Sequence, residues 1–311
     1  MAIASVHVHQ VTKQFNGTPA LDNISFDTGN GELFGFIGPD GAGKTTLFRI
    51  LTTLLLADSG TCTVAGYDVV KDYKAIRNIC GYMPGRFSLY QDLTVEENLR
   101  FFATIFGTTI DENYHLVKDI YQQIEPFRNR KAGQLSGGMK QKLALSCAMI
   151  HKPDVLFLDE PTTGVDAVSR VEFWDMLKRL KNSGITILVS TPYMDEAGLC
   201  DRVALMQNGR IMTISTPGEV ISSYPLSLLS VKAGDIYRLL GELRAYPGVH
   251  SVYAFGQTAH VSFSGQQIER QQMFDFLKSN NHASVEISVI EPSIEDCFME
   301  LMNNPVEKQT N

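Results

Sequence analysis

Hydrophobic and polar positions alternate over residues 5–11, which predicts a half-buried strand with His7 and His9 on one side of it. Asn16-Gly17 is a hairpin signal, and a second strand is expected over residues 20–27. Residues 32–37 form a short apolar run of the kind buried on both faces, leading through a glycine-rich loop into a helix from Lys44. Residues 61–64 and 80–83 read as further short strands. Residues 88–150 read as mainly helical: Thr94-Val-Glu-Glu97 is a capping box, and Val95, Leu99, Phe102 and Phe106 then recur on one face. From residue 153 strand–helix alternation returns, with buried strands at 155–158 and 185–190 around an amphipathic helix at 168–180. Asn208-Gly209 then separates two short strands as a hairpin signal. This order predicts an α/β domain with a parallel core sheet, an antiparallel β subdomain and a helical insertion over about 88–150.

Pro217, Gly218, Ser222, Ser223 and Pro225 mark a boundary. Beyond it the pattern reads strand 228–232, helix 234–246, strands 249–254 and 258–263, helix 265–279 and strand 284–290. This βαββαβ order is that of a small ferredoxin-like α+β domain. A last helix is expected at 293–302 and a flexible tail at 303–311. The expected division is therefore a first domain over 1–220 and an accessory domain over 228–302.

Composition narrows the classes. The 311 residues are 44% hydrophobic and 20% charged, which excludes a disordered or collagen-like chain. The longest apolar stretch, near 47–57, is interrupted by Arg49, Thr52 and Thr53, whereas a membrane span needs about 20 apolar residues. The start, Met1-Ala-Ile-Ala-Ser-Val-His7, lacks a basic flank and a long apolar region, so no signal peptide is expected. A net charge of −7 disfavours nucleic acid and anionic lipid, leaving only a local basic patch open. Cys62, Cys80, Cys147, Cys200 and Cys297 are odd in number, widely spaced and free of C-x-x-C pairs, so buried reduced thiols are expected. His7 and His9 alone supply too few ligands for a metal site.

Gly38-Pro-Asp-Gly-Ala-Gly-Lys-Thr45 matches G-x-x-x-x-G-K-[ST], with a strand before it and a helix after. Its glycines let backbone N–H groups curl around phosphate oxygens at a helix N-terminus. Gly38, Pro39, Asp40, Gly41, Ala42, Gly43, Lys44, Thr45 and Thr46 are thus the candidate nucleotide contacts. Lys44 would bridge the terminal phosphates and Thr45 would offer its hydroxyl to Mg²⁺. Val155-Leu-Phe-Leu-Asp-Glu160 supplies the complementary acids: Asp159 for the Mg²⁺ shell and Glu160 as the base that polarises the attacking water. Leu135-Ser-Gly-Gly-Met-Lys-Gln-Lys142 adds a Ser-capped helix whose glycines, Gly137 and Gly138, leave its first amides uncovered.

These three segments, with Gly164-Val-Asp166 as a fourth, resemble the ATP-binding-cassette (ABC) family in residue type and order over roughly residues 3–220. The resemblance implies a P-loop cassette that binds ATP and Mg²⁺ in a head-to-tail dimer, with itself or with a second cassette. Ser136, Gly137 and Gly138 would then meet the partner's nucleotide, Asp166 would lie across the interface, and Phe15 would stack on adenine. Glu291-Pro-Ser-Ile-Glu-Asp-Cys-Phe298, Tyr82-Met-Pro84 and Tyr193-Met-Asp-Glu-Ala197 are similar to the ABC-2 branch of exporters. In that branch the ATPase works with separate transmembrane permease subunits on the cytoplasmic face of the membrane. The expected docking surface lies near 85–92 and the helix at 95–106. Phe87 and Leu89 either serve there or are buried under the helical insertion.

Two positions depart from the family pattern: Gly85 stands where a Gln is usual, and Pro192 where a His is usual. They predict slow hydrolysis, with Thr191 or Tyr193 reaching the γ-phosphate through a shifted loop, or an asymmetric pairing. The alternatives are a regulatory nucleotide-binding partner with weak ATPase, and a non-transport ABC ATPase acting on nucleic acid or ribosomes. The second lacks support from zinc cysteines, heptad arms or tandem cassettes, and no nucleic-acid partner is expected.

Overall fold

The computed structural model describes residues 5–264 and 270–303. The first four residues, the start of the helix expected at 265–279 and the tail from 304 lie outside the described residues. The chain forms two compact units, Met1–Pro217 and Gly218–Asn311.

In the first unit, β1 (Val6–Phe15) and β2 (Thr18–Thr28) form the antiparallel hairpin marked by Asn16-Gly17, whose φ angles are 49° and 82°. Two positive φ values favour Asn-Gly, because most other side chains clash there. β3 (Leu33–Ile37) is wholly buried and leads through the glycine-rich loop into α1 (Lys44–Leu51). β4 (Ser59–Val64), β5 (Tyr67–Asp68), α2 (Tyr73–Ile79) and β6 (Cys80–Met83) follow. The helical insertion holds α3 (Val95–Ile105), α4 (Ile110–Tyr121) and α5 (Gly137–Met149). Thr94–Glu97 closes as the expected capping box, and Thr109–Glu112 closes a second one before α4. β7 (Val155–Asp159), α6 (Ala167–Asn182), β8 (Thr186–Thr191), β9 (Arg202–Gln207) and β10 (Arg210–Ser215) complete the unit.

These strands make two sheets. One is antiparallel, in the order β2-β1-β4-β5; the other runs β10-β9-β3-β8-β7-β6, parallel except for the edge hairpin β9–β10. A chain of aromatic rings fills the space between the sheets. Phe26 on β2 meets Phe36 on β3 at 5.0 Å, Phe36 meets Phe48 on α1 at 5.6 Å, and Phe48 meets Phe157 on β7 at 5.7 Å, all edge-on. Such pairs add about 0.5–1.5 kcal/mol each beyond the area they bury. They fix α1, and with it the loop before it, against the strand ends.

The helix α7 (Pro217–Ser222) begins at the boundary, and the second unit then runs β11 (Ser227–Lys232), α8 (Ile236–Arg244), β12 (Val249–Phe255), β13 (Thr258–Phe263), α9 (Arg270–Ser279), β14 (Glu286–Val289) and α10 (Ile294–Asn303). Its antiparallel sheet has the order β12-β13-β11-β14, the ferredoxin-like arrangement. Leu229, Val231, Val261, Leu239, Leu243, Met273 and Leu277 form its core. On α10, Asp296 is buried and accepts from Ser293 N and Oγ, and it pairs with His260 at 2.8 Å.

Candidate nucleotide site

Strand register assembles the site. In the parallel sheet Ile37 pairs with Thr191 and Asp159 with Ser190, while Met83 lies beside Leu158, so the carboxyl ends of β3, β8, β7 and β6 share one edge. Open α/β sheets bind ligands beyond such an edge. The loop after β3 opens onto it. A Cβ at Gly38 would lie 2.2 Å from the Met206 carbonyl, and one at Gly43, whose φ is 103°, would lie 2.5 Å from the Ala20 carbonyl. Only glycine fits at either position, so packing as well as phosphate access selects it. Gly43 caps α1 without a side-chain bond, which leaves the first amides of the helix unspent.

Lys44 is 3% exposed, and its Nζ donates to the carbonyls of Gly38 at 2.7 Å and Pro39 at 3.0 Å. The same ammonium lies 3.5 Å from Glu160 Oε1. Thr45 Oγ1 donates to Asp159 Oδ1 at 3.1 Å, and Ser190 Oγ donates to the same oxygen at 2.6 Å. Glu160 N donates to both the carbonyl and the hydroxyl of Ser190, at 3.0 and 3.1 Å. The φ of Glu160 is 50°, a left-handed value that a non-glycine residue rarely adopts and that recurs at functional positions. Asp40 and Gly41 stand exposed at the loop tip, Ala42 is buried beneath, and Thr46 is half-buried on the first turn of α1. The paired hydroxyl and carboxylate of Thr45 and Asp159 are hard oxygen donors, a set that fits Mg²⁺.

The Ser-Gly-Gly segment joins a different cluster. Ser136 caps α5, accepting from Met139 N at 3.4 Å, and is exposed with Gly137. Gly138 is buried: a Cβ there would lie 2.7 Å from Ser169 Oγ, and one at Gly137 would lie 3.1 Å from the Gly164 carbonyl. These glycines therefore also allow α5 to approach the turn before α6. Asp166 caps α6 by accepting from Ser169 N at 3.0 Å, and bonds from Ser169 hold its carboxyl below the usual carboxylate range. Phe15 is 49% exposed at the end of β1, with Lys13 Nζ 5.6 Å over its ring.

A family model described as ABC transporter matches residues 21–163. Across 312 residues, 99% of this chain and 100% of the relative, the chain is 31% identical to the Nod factor export ATP-binding protein I of Rhizobium sp. (strain N33). The chain belongs to the ABC transporter ATP-binding cassette family. This cassette is also 38% identical over 218 residues to the probable multidrug ABC transporter ATP-binding protein YbhF of Escherichia coli (strain K12). That match covers 69% of the cassette's chain but 38% of the relative, so the chain spans well under half of that protein's length. A solved structure titled as the ATP binding subunit of an ABC transporter superposes with a TM-score of 0.65 at 26% identity, covering 70% of this chain and 92% of that one.

Around the site of the cassette, the two departures have structural consequences. Gly85 lies against β7: a Cβ there would be 3.1 Å from the Asp159 carbonyl and 3.7 Å from Glu160 Cβ. Pro192 follows β8 directly, but the neighbours expected to replace its donor are engaged elsewhere. Thr191 is fully buried and its hydroxyl donates to Glu196, while the Tyr193 ring lies 4.4 Å beneath the Arg170 guanidinium. The Thr191 hydroxyl, which the shifted-loop expectation would turn toward phosphate, here donates to Glu196 instead. The sequence patterns single out neither Ser190 nor a role for Glu196 beyond its place in the Tyr193–Ala197 segment. Their signals are a Ser-Thr pair ending an apolar strand and the second of two adjacent acids, Asp195 and Glu196, in a short helical turn.

The remaining feature is a groove of about 720 Å³ lined by Tyr82, Leu89, Phe102, Ile105 and Phe106, among others, with Arg49 and Arg77 beside them. Leu89 is buried and Phe87 half-buried, its ring beneath Lys140 Nζ at 5.5 Å. All five cysteines are buried and free, and burial pushes the Cys62 and Cys80 thiols up to about 12. Among the described residues no helix is long and apolar enough to cross a membrane, and no metal-ligating cluster of three or more His, Cys, Asp or Glu occurs. His7 instead pairs with Asp27 and stacks on His9.

Proposed function

We propose that this cassette binds ATP with Mg²⁺ and hydrolyses it to drive export through separate transmembrane permease subunits of the ABC-2 type, from the cytoplasmic face of the membrane. The convergence of Lys44, Thr45, Asp159 and Glu160 at one sheet edge carries this reading. Lys44 and the unspent amides of α1 attract the phosphates. Mg²⁺ held by Thr45 and Asp159 would neutralise phosphate charge. Glu160 takes the proton of the attacking water, and its backbone is fixed for that task by the two bonds to Ser190. Phe15 presents a flat face to adenine.

The exposed Ser136 and Gly137 and the exposed Asp166 are joined through the Gly138–Ser169 contact into one surface. That continuity supports a head-to-tail pair of cassettes in which this surface completes the partner's site. The apolar groove beside α3 supports docking of the permease. The names of the relatives, multidrug and Nod factor export, support the export direction. Gly85 and Pro192 support slow turnover, or pairing with a second cassette that carries the faster site.

The test is co-purification with a membrane subunit encoded beside this chain, followed by ATPase assay of the wild type and Glu160→Gln. Turnover that is lost in Glu160→Gln supports the proposal. Equal turnover in both proteins, or failure of any permease to bind, overturns it.

A further inference from the structure

A buried polar cluster centred on Glu196, within the Tyr193–Ala197 segment, contains none of the residues placed at the nucleotide site. Glu196 is 2% exposed and accepts from three donors: Thr162 Oγ1 at 2.7 Å, Thr191 Oγ1 at 2.5 Å and Arg170 Nε at 3.1 Å. Thr162 and Thr191 are themselves only 1% and 0% exposed. The donors come from three separate segments. Thr162 lies two residues after Glu160, Thr191 ends β8, and Arg170 follows the Asp166 cap by one helical turn. Arg170 extends the cluster, reaching Asp195 Oδ2 at 3.2 Å and covering the Tyr193 ring, while Tyr193 N donates to Thr191 Oγ1 at 3.1 Å.

For stability alone an apolar side chain would serve as well, because removing a carboxylate from water offsets much of what its bonds return. What the carboxylate adds is direction. Its two oxygens are shared among three fixed donors, so each donor segment is held in register with the other two. The segment 191–196, which contains Pro192 and has no donor at that position, is thereby pinned to the segment 162–170. The first of these follows directly from Ser190, which holds Asp159 and Glu160; the second links Glu160 to Asp166.

We propose that Glu196 is a positioning residue for hydrolysis, fixing the loop after β8 and the Thr162–Arg170 segment as one rigid body so that Glu160 and Asp166 keep their places without a histidine at 192. It rests on the reading of this chain as an ATPase.

The test compares Glu196→Gln, Thr162→Val, Thr162→Ser and Thr191→Val in the full chain with its permease, with wild type and Glu160→Gln as references. An amide presents one acceptor oxygen in place of two, so Glu196→Gln should lower kcat about 10- to 100-fold. KM and ATP affinity should stay within about twofold, because phosphate binding is untouched. Thr162→Val should lower kcat and Thr162→Ser, which keeps the hydroxyl, should restore it. The double variant Thr162→Val/Thr191→Val should lose less than the product of the singles. Wild-type kcat in folded Glu196→Gln overturns the proposal, as does a fall in affinity that matches the fall in kcat. Should Glu196→Gln not fold, equal kcat in Thr162→Val and Thr162→Ser overturns it. A wild type no faster than Glu160→Gln instead overturns the ATPase reading, and this proposal with it.

Discussion

Thr45 and Asp159 stand 114 residues apart in the chain, yet the Thr45 hydroxyl donates to Asp159 Oδ1 at 3.1 Å. This pair joins the first turn of α1 to the end of β7 and defines where Mg²⁺ would be held. Asp159→Asn exchanges a charged acceptor for an amide, and Thr45→Ala removes a donor and a hard ligand. Each should lower Mg²⁺-dependent turnover about 100- to 1,000-fold, the cost of one preorganised group in such a site. ATP binding measured with and without Mg²⁺ should lose its metal dependence in Asp159→Asn.

Ser190 donates to Asp159 at 2.6 Å and receives Glu160 N at 3.1 Å. Ser190→Ala should therefore lower kcat while leaving nucleotide affinity in place. A hydrogen bond to a charged group contributes about 1.5–3 kcal/mol, or roughly 10- to 100-fold. Steady-state kinetics alongside equilibrium nucleotide titration separates the two parameters. A parallel loss of affinity would show that Ser190 shapes the phosphate loop instead.

Pro192 and Gly85 are expected to limit turnover for different reasons. Pro192 lacks a donor, and Pro192→His restores one, so its kcat should rise by about tenfold. At Gly85 a side chain must displace the Asp159 carbonyl, since its Cβ would lie 3.1 Å away. Gly85→Ala isolates that backbone cost, and Gly85→Gln should exceed Gly85→Ala in kcat even where both fall below wild type. Unchanged or lower rates in Pro192→His, with Gly85→Gln no faster than Gly85→Ala, would sink the explanation.

Phe15 is half-exposed, and Lys13 is the one cation found over its ring among the described residues. Stacking on adenine contributes about 0.5–1.5 kcal/mol, so Phe15→Ala should weaken ATP binding by about 2- to 12-fold and Phe15→Trp should preserve it. Inorganic triphosphate, which has no base, should bind Phe15→Ala and wild type equally well.

His151 gives the fold a pH dependence. Its ring stacks on Phe106 at 3.8 Å, its Nε2–H donates to the Cys80 carbonyl at 3.1 Å, and burial holds its pKa below the ordinary 6.5. As pH falls the unfolded chain takes up this proton first. The stability is therefore present above 6.5 and is lost as pH falls from there through the folded-state pKa. Thermal melts between about pH 7.5 and about pH 5.5 should show a smaller loss in His151→Gln than in wild type.

Much of the architecture was legible in the chain. Local signals specified it: Asn-Gly pairs at 16–17 and 208–209 adopt the positive φ their hairpins need, and Thr94 caps as its spacing requires. The phosphate loop and its acids were legible because phosphate binding demands particular residue types at fixed spacing. The second unit's βαββαβ order gave its strand arrangement, since antiparallel pairing and short connections leave few alternatives.

Only the tertiary structure decided the rest. Register alone brings Ser190 beside Asp159, and only the packing shows that a side chain at Gly138 would meet Ser169. The three donors of Glu196 lie at positions 162, 170 and 191, and no local pattern links them. Local propensity and motif spacing are properties of neighbours in sequence, whereas a shared carboxylate is a property of neighbours in space. The sequence by itself determined the kind of machine; the fold decided which polar residues meet its acids, because contacts such as Ser190–Asp159 join segments far apart in the chain.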